Sequence, residues 1–403
     1  MQQFTRPEAQ LLDQVDAAPM LDQVQAWSAI NTGTGNLPGL ARQAAELADA
    51  FSALPGDVRL EEPAPVSAIT PAGEEAPVVY GKHLVLRVRP EAQRRFLLTG
   101  HMDTVFPASH PFQQQAWLDE QTLNGPGVAD MKGGIAVILA ALKAFEHSVA
   151  AAKVGYDVLI NSDEETGSLS SAALIAELAR GKAAALTYEP SALPDGTLAG
   201  ARAGSGNWSL TVRGRSAHAG RNPDEGRNAV VAAAALALGL KALHRDGLSV
   251  NPAKIEGGSA NNVVPDLAVI RFNIRPRHEH DAEQFLLNLN SLIKSVETEN
   301  EVSIHLHGGI SRPPKPVDAR AEKLFNIVEE CSALLGHPIT RKTSGGVCDG
   351  NNIAACGVPV VDTMGVRGGA IHSPDEFLIV PSLEQRAKLS ALVLHRLATG
   401  APL

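Results

Sequence analysis

Two textures of hydrophobic patterning alternate along the chain, with changes near Gly204 and again after Pro316. In the first texture, short continuous apolar runs read as buried strands, each giving way to an acidic or glycine-rich turn and then a helix. Phe96-Leu97-Leu98 leads into Gly100-His101-Met102-Asp103-Thr104-Val105. The run 156–160 ends in Asn161-Ser162-Asp163-Glu164-Glu165-Thr166-Gly167-Ser168, and the run 184–188 ends in Glu189-Pro190. Helical periodicity is expected over 8–28 with a break near Pro19, and over 40–54, 135–145, 169–180, 319–335 and 382–397. Strands are expected over 78–88 and 358–361, and a polar hairpin over 119–124. The recurrence of strand, acid and helix predicts an α/β fold: a mixed or parallel sheet with helices on both faces.

The second texture is different. Residues 207–212 alternate as a strand exposed on one face does, and an Ala/Leu helix follows from about 228 to 243. A strand over 268–275, a helix over 282–297 and a strand over 302–307 complete a βαββαβ-like order. This is a compact α+β unit of about 105 residues, closed by a linker-like Pro313-Pro314-Lys315-Pro316. The expected organisation is therefore one large domain in two parts, 1–205 and 315–403, with 206–314 inserted. A chain of 403 residues is too long for one ordinary core, which agrees with that division.

Composition narrows the classes. The chain is 44% hydrophobic and 20% charged, a soluble, globular balance, and Lys+Arg 35 against Asp+Glu 44 gives −9. No basic run interleaved with aromatics occurs, so nucleic acid is not an expected partner. No apolar run approaches ~18 residues, and Met1–Pro7 has no apolar signal core, so a cytoplasmic protein without membrane attachment is expected. Cys331, Cys348 and Cys356 lack C-x-x-C spacing and read as free thiols in a reducing compartment. The pairs His278/His280 and His305/His307 sit in polar contexts and read as solvated.

The chemistry gathers at the strand ends of the first texture. His101, Asp103, Asp130, Glu164, Glu165, Glu189 and His372 all fall at predicted strand ends or at turns into helices. Open α/β sheets place ligands at the carboxyl edge of their strands. Carboxylates crowded at one edge cannot all stay ionised without raised pKa values or compensating cations, which argues for a dinuclear metal site. Two imidazoles with several carboxylates and no thiolate suit Zn²⁺, with Co²⁺ or Mn²⁺ as alternatives.

The motifs GHMDTV, GPGVADMKGG, DEETGS, YEP, GRSAHAG, NNVVP followed by Arg275, GGVCDGN and HSPDE run in order from residue 100 to 376. In this set and order the chain resembles the M20 metallopeptidases, most of all their glutamate-carboxypeptidase-like branch, with acetylornithine deacetylase and succinyl-diaminopimelate desuccinylase as relatives. The resemblance implies a zinc-exopeptidase-like fold with an inserted lid or dimerisation domain, and two zinc ions per subunit. His101 and Glu189 would hold one ion, Glu165 and His372 the other, and Asp130 both, with Asp103 orienting His101. Asp130-Met131 is expected to be cis. Glu164 would be the general base and His218, from the partner subunit of a homodimer, an oxyanion donor. Asn262 and Arg275 would bind substrate, with Arg275 clamping its carboxylate; Arg312 and the backbone of Gly345-Gly346 are further candidates for that clamp.

The implied reaction is hydrolysis of an amide beside a free carboxylate, in a short peptide or an N-acyl amino acid. Release of a C-terminal, glutamate-like residue is the first reading, and N-acyl-amino-acid deacylation the second. The glutamate-releasing members carry a Lys near the position of Thr197, a departure that bears on side-chain preference. From other classes, a dinuclear phosphoesterase would want Lys, Arg or a helix N-terminus beside the metals, which the loops around His101 and Glu165 scarcely offer. A non-catalytic binding homologue would be expected to have lost Glu164 or a ligand.

Overall fold

A computed structural model describes residues 3–403, which divide into two compact units. The first comprises the chain up to Ala64, Tyr80–Ala201 and Lys315–Leu403. Its main sheet has the strand order Asp57–Glu61, His83–Val88, Gly155–Asn161, Arg95–His101, Ala184–Thr187, Val360–Val361. The last four run parallel to one another, and His83–Val88 is antiparallel to its neighbours. Every residue of Gly155–Asn161 is buried, as expected for a strand covered on both faces.

Helix Gly134–Glu146 forms the centre of that cover. Its interior positions from Ile135 to Leu142 are all buried, and it packs against Ser382–Ala398. Its first residue has to be glycine: a Cβ on Gly134 would lie 2.1 Å from the Tyr188 carbonyl oxygen. That contact seats the helix against the segment that delivers Glu189.

The second unit comprises Pro65–Val79 and Arg202–Pro314. Its four-stranded antiparallel sheet has the order Leu248–Gly257, Leu267–Pro276, Ser205–Arg213, Ser303–Arg312. Helices Ala229–Ala242 and Glu279–Asn300 pack their apolar sides against it. Trp208 stacks on Phe272 at 5.5 Å between centroids, and Phe285 closes the cluster. The strand Leu248–Gly257 completes the βαββαβ order; its alternation is limited to buried Leu248 and Val250 before Pro252 and a register shift interrupt this edge strand.

Three expectations need correction. Residues 78–88 are not one strand: Glu75–Val78 pairs with Val66–Ile69 in a hairpin, and His83–Val88 is a separate strand. That hairpin belongs to the second unit, not to the large domain, because Gly73 accepts a hydrogen bond from Arg213 and Ser67 meets His307 at 3.3 Å. The helix expected over 169–180 is only Ala172–Ala179, because Ser168, Ser170 and Ser171 turn their hydroxyls to buried carboxylates instead. Lys315, in the linker-like segment, is buried and paired with Asp362 at 3.0 Å. The three cysteines are free thiols, and no helix of the described residues is long and apolar enough to cross a membrane.

Truncating Ile138, fully buried in the central helix, to Ala is expected to cost ~2–5 kcal/mol. Lys143→Ala, at the exposed position of the same helix, should change stability by less than ~0.5 kcal/mol. Denaturant midpoints of the two variants test this; equal midpoints would contradict the packing described.

Candidate metal centre

Strand pairing brings the first candidate residues together. In the parallel register His101 lies opposite Asn161, and Thr99 opposite Thr187. The turns after those strands, carrying Glu164, Glu165 and Glu189, therefore start about one strand spacing, ~4.8 Å, from the strand that ends in His101.

His101 is almost wholly buried. Its Nδ1 lies 3.0 Å from the Asp103 carbonyl oxygen and 3.4 Å from Asp103 Oδ1. Its Nε2 faces Asp130 Oδ1 at 3.1 Å and Glu189 Oε2 at 3.7 Å. Asp130 directs its other oxygen, Oδ2, to His372 Nε2 at 3.3 Å, and the same nitrogen is 3.1 Å from Glu165 Oε2. One carboxylate thus presents one oxygen to each imidazole. Ligand atoms of His101, Asp130 and Glu165 fall within 4.8 Å of one another, as do those of His101, Glu164 and Glu189. The Asp130-Met131 peptide is cis.

Asp103 does more than sit beside His101. Its Oδ1 accepts the Glu164 N–H and its Oδ2 the Glu165 N–H, each at 3.2 Å, and Thr34 donates to Oδ2 at 2.8 Å. One buried carboxylate therefore anchors both the imidazole and the turn that carries the two glutamates. Glu376 has a parallel place, which sequence reasoning missed. It is buried at 1% exposure and accepts the backbone N–H groups of Gly127, Ala129 and Asp130 at 3.0–3.1 Å. It ties the loop bearing His372 to the turn bearing Asp130. The HSPDE motif contained it, but only burial distinguishes it from an exposed acid. Asn161 and Ser168 donate to Asp349, and Asp163 accepts from Ser170 and Ser171, which fixes the far side of the Glu164–Glu165 turn.

The electrostatics suit cations. His372, hydrogen-bonded to Asp130 and Glu165, has its pKa pushed up to about 11. Burial opposes protonation of His101, yet the Glu189 charge and the hydrogen bonds to Asp103 and Asp130 raise it well above the ordinary value. Burial and the Asp130 charge push Glu165 up to about 7. Burial disfavours ionised Asp130 as well, but hydrogen bonds from both imidazoles hold it far below the usual carboxylate range. Positive charge is thus held among the carboxylates by imidazolium, and the donor set, nitrogen and carboxylate oxygen without sulfur, fits a pair of zinc-like ions.

The other candidates are carried by other elements. His218 is exposed in the second unit, its Nδ1 accepting from Gly220 N at 3.1 Å and Arg221 N at 3.2 Å. In the neutral ring this leaves the proton on Nε2. Asn262 is exposed on a turn, its carbonyl accepting from Ala219 N. Arg275 is exposed near the end of Leu267–Pro276, and Arg312, ending Ser303–Arg312, is buried at 1%. Gly345 and Gly346 follow the strand Arg341–Ser344 on an exposed loop of the first unit, and the Gly346 N–H donates to Ser344 Oγ.

The model of peptidase family M20/M25/M40 matches residues 97–396. The chain belongs to this family. It is accordingly a hydrolase of the M20 metallopeptidase and deacylase type. It is 27% identical to carboxypeptidase G2 of Pseudomonas sp. (strain RS-16), over 92% of this chain and 87% of that one. It is 30% identical to a succinyl-diaminopimelate desuccinylase of Xanthomonas oryzae, over 75% of this chain and 83% of that one. Among solved structures, an M20 metallo-carboxypeptidase of Sulfolobus solfataricus superposes with a TM-score of 0.71 at 15% identity, covering 94% of this chain and 99% of that one. A dinuclear metal-binding M20 peptidase of Bacillus subtilis gives 0.67 at 13%, covering 95% and 98%. At these identities the structures show the fold.

His372, with its pKa pushed up to about 11, carries a proton near neutral pH, and a metal ligand has to be deprotonated. Metal uptake near pH 7 is therefore expected to release the His372 proton, and affinity to rise with pH as proton competition falls. Calorimetry in buffers of different ionisation heat reads this directly; a buffer-independent heat would contradict it. Glu376→Ala leaves three backbone donors without their acceptor and is expected to weaken metal binding ~10–100-fold. Unchanged affinity in chelator competition would remove Glu376 from the positioning scheme.

Proposed function

We propose that this chain is a dizinc amidohydrolase that cleaves an amide beside a free carboxylate, acting as a carboxypeptidase that releases a C-terminal, glutamate-like residue. The observation that carries this reading is the convergence of two imidazoles and the carboxylates of Asp130, Glu164, Glu165 and Glu189 on one sheet edge. His101 and Glu189 would hold one ion, His372 and Glu165 the other, and Asp130 both. When bound, the ions lower the pKa of the attacking water and polarise the amide carbonyl. Glu164 removes the proton from that water and passes it to the leaving amine nitrogen. Asp103 keeps the backbone of Glu164 and Glu165 in place throughout.

His218 is assigned as donor to the oxyanion formed on the substrate carbon, because its backbone-bound Nδ1 leaves Nε2–H free to donate. Arg275 is assigned to the substrate carboxylate, which a guanidinium binds with two parallel hydrogen bonds. Asn262, Arg312 and the Gly345-Gly346 backbone complete the substrate contacts in this reading. A homodimer through the second unit belongs to it too, supported by exposed Val231, Leu238 and Leu287 on that unit's two helices. The protein is placed in the cytoplasm.

Similarity to carboxypeptidase G2 over nearly the whole chain supports the carboxypeptidase reading. The second reading, N-acyl-amino-acid deacylation, is favoured by similarity to the desuccinylases and by Thr197.

Zinc-loaded protein, tested on peptidyl- and folyl-glutamates, N-acetyl and N-succinyl amino acids, dipeptides and a phosphodiester, is expected to release a C-terminal amino acid. Glu164→Gln should lower kcat by ~10²–10⁴-fold with metal content unchanged. Preference for acetyl or succinyl compounds would establish the deacylase reading instead. Turnover of the phosphodiester alone, or full activity in Glu164→Gln, would overturn the mechanism.

A further inference from the structure

Within the first unit, a cavity of about 250 Å³ contains none of the ligand candidates. Leu335, Ile339 and Leu389 give it apolar walls, and Arg367 and Arg386 bring two guanidinium groups to it. Arg386 is buried at 3% exposure. Its Nη2 donates to the Gly196 carbonyl at 2.8 Å, while its Nη1 has no hydrogen-bond partner among the described residues. Arg367 donates through Nε to the Pro194 carbonyl and reaches Gln385 Oε1 at 3.5 Å. Neither guanidinium forms an ion pair with a described carboxylate.

The two neighbouring cations form no ion pair among the described residues and are hydrogen-bonded only to carbonyl and amide oxygens, with the Asp195 charge nearby. Burial, with the neighbouring Arg367 charge, lowers the Arg386 pKa to about 10, although Arg guanidinium groups ordinarily stay charged. The acid that lines the cavity, Asp195, is exposed, and its Oδ1 accepts from Thr197 N and Oγ1 at 2.8 and 2.7 Å. Its charge offsets part of the positive potential at Arg386 without pairing with it. A buried cation lacking a counterion is costly, and an anion in the cavity removes that cost.

We infer that this cavity is a second ligand site, built to take a small oxyanion of the carboxylate or phosphate type between Arg367 and Arg386. Guanidinium groups bind both anions through paired N–H donors, and the apolar walls favour a compact ligand that excludes water around the charges. Two walls continue the segments that carry metal-ligand candidates: Pro194–Gly196 follows Glu189, and Arg367 precedes His372. An anion bridging the two guanidiniums therefore links these two segments at a point outside the metal centre.

The test is calorimetric titration of the metal-loaded protein at constant ionic strength, with inorganic phosphate in one arm and succinate in the other. At least one is expected to bind with a Kd below ~1 mM. Arg367→Gln and Arg386→Gln should each weaken binding by about tenfold or more, a change of ~1.4 kcal/mol, with metal content unaltered. Should buried Arg386→Gln fail to fold, Arg367→Gln on the more open wall carries the test. The arm that binds identifies the source of the oxyanion. Absence of binding in both arms, or binding that survives Arg367→Gln and disappears on chelation, would overturn the assignment, the latter by placing the anion at the metals.

Discussion

The structure of the first unit turns on one electrostatic constraint: parallel strands that end together bring their acids together. His101, Asn161 and Thr187 close three adjacent strands at one sheet edge, so the carboxylates beyond them cannot separate without breaking the register. Charges that close are sustained only by cations. Imidazole nitrogens take that part, so the pKa values of His372 and His101 are raised while that of Asp130 is held low. The same arrangement, with the protons displaced, offers nitrogen and carboxylate-oxygen donors of the kind a metal ion takes.

Holding those donors in place falls to carboxylates outside the set. Asp103 and Glu376 are both buried, and both spend their oxygens mainly on backbone N–H groups of the turns that carry the donors. Several such donors let a carboxylate sit buried and join distant chain segments rigidly, although burial still pushes Glu376 up to about 7. Asp103 joins the end of one strand to the turn after the next; Glu376 joins the loop of His372 to the turn of Asp130. Rigid placement of this kind orients the donors before any metal arrives.

His101, Glu164, Glu165 and Glu189 stand out in the sequence because they follow apolar runs that end at a sheet edge, whereas Asp130 and His372 lie in glycine-rich turns and are picked out by their motifs. The central helix and most core strands were legible for the same reason, being long apolar stretches. What escaped was whatever has too short a hydrophobic period: the edge strand Leu248–Gly257, whose alternation stops at Pro252, and the hairpin Val66–Ile69 with Glu75–Val78. The short helix Ala172–Ala179 escaped differently. Its preceding serines look neutral in sequence, but their hydroxyls serve Asp163 and Asp349 and cannot also sit in a helical turn. Glu376 and Arg386 escaped because a charged residue gives no sign in sequence of being buried.

Selectivity has a different physical origin from the chemistry. An amide beside a carboxylate is common to carboxypeptidase and deacylase substrates, so the metal centre is indifferent between them and the discrimination has to come from side chains around it. Thr197 is instructive here. It is buried, its backbone N–H and hydroxyl both bind Asp195, and its hydroxyl lies 3.2 Å from that of Thr340. The residue therefore closes a turn and brings no charge, whereas the Lys that the glutamate-releasing members carry near this position brings a cation. A substrate carrying only the carboxylate next to its scissile amide loses nothing by that exchange. One carrying a second acid, as glutamate does, has to find its counter-charge elsewhere in the chain, and that requirement separates the two readings on physical grounds.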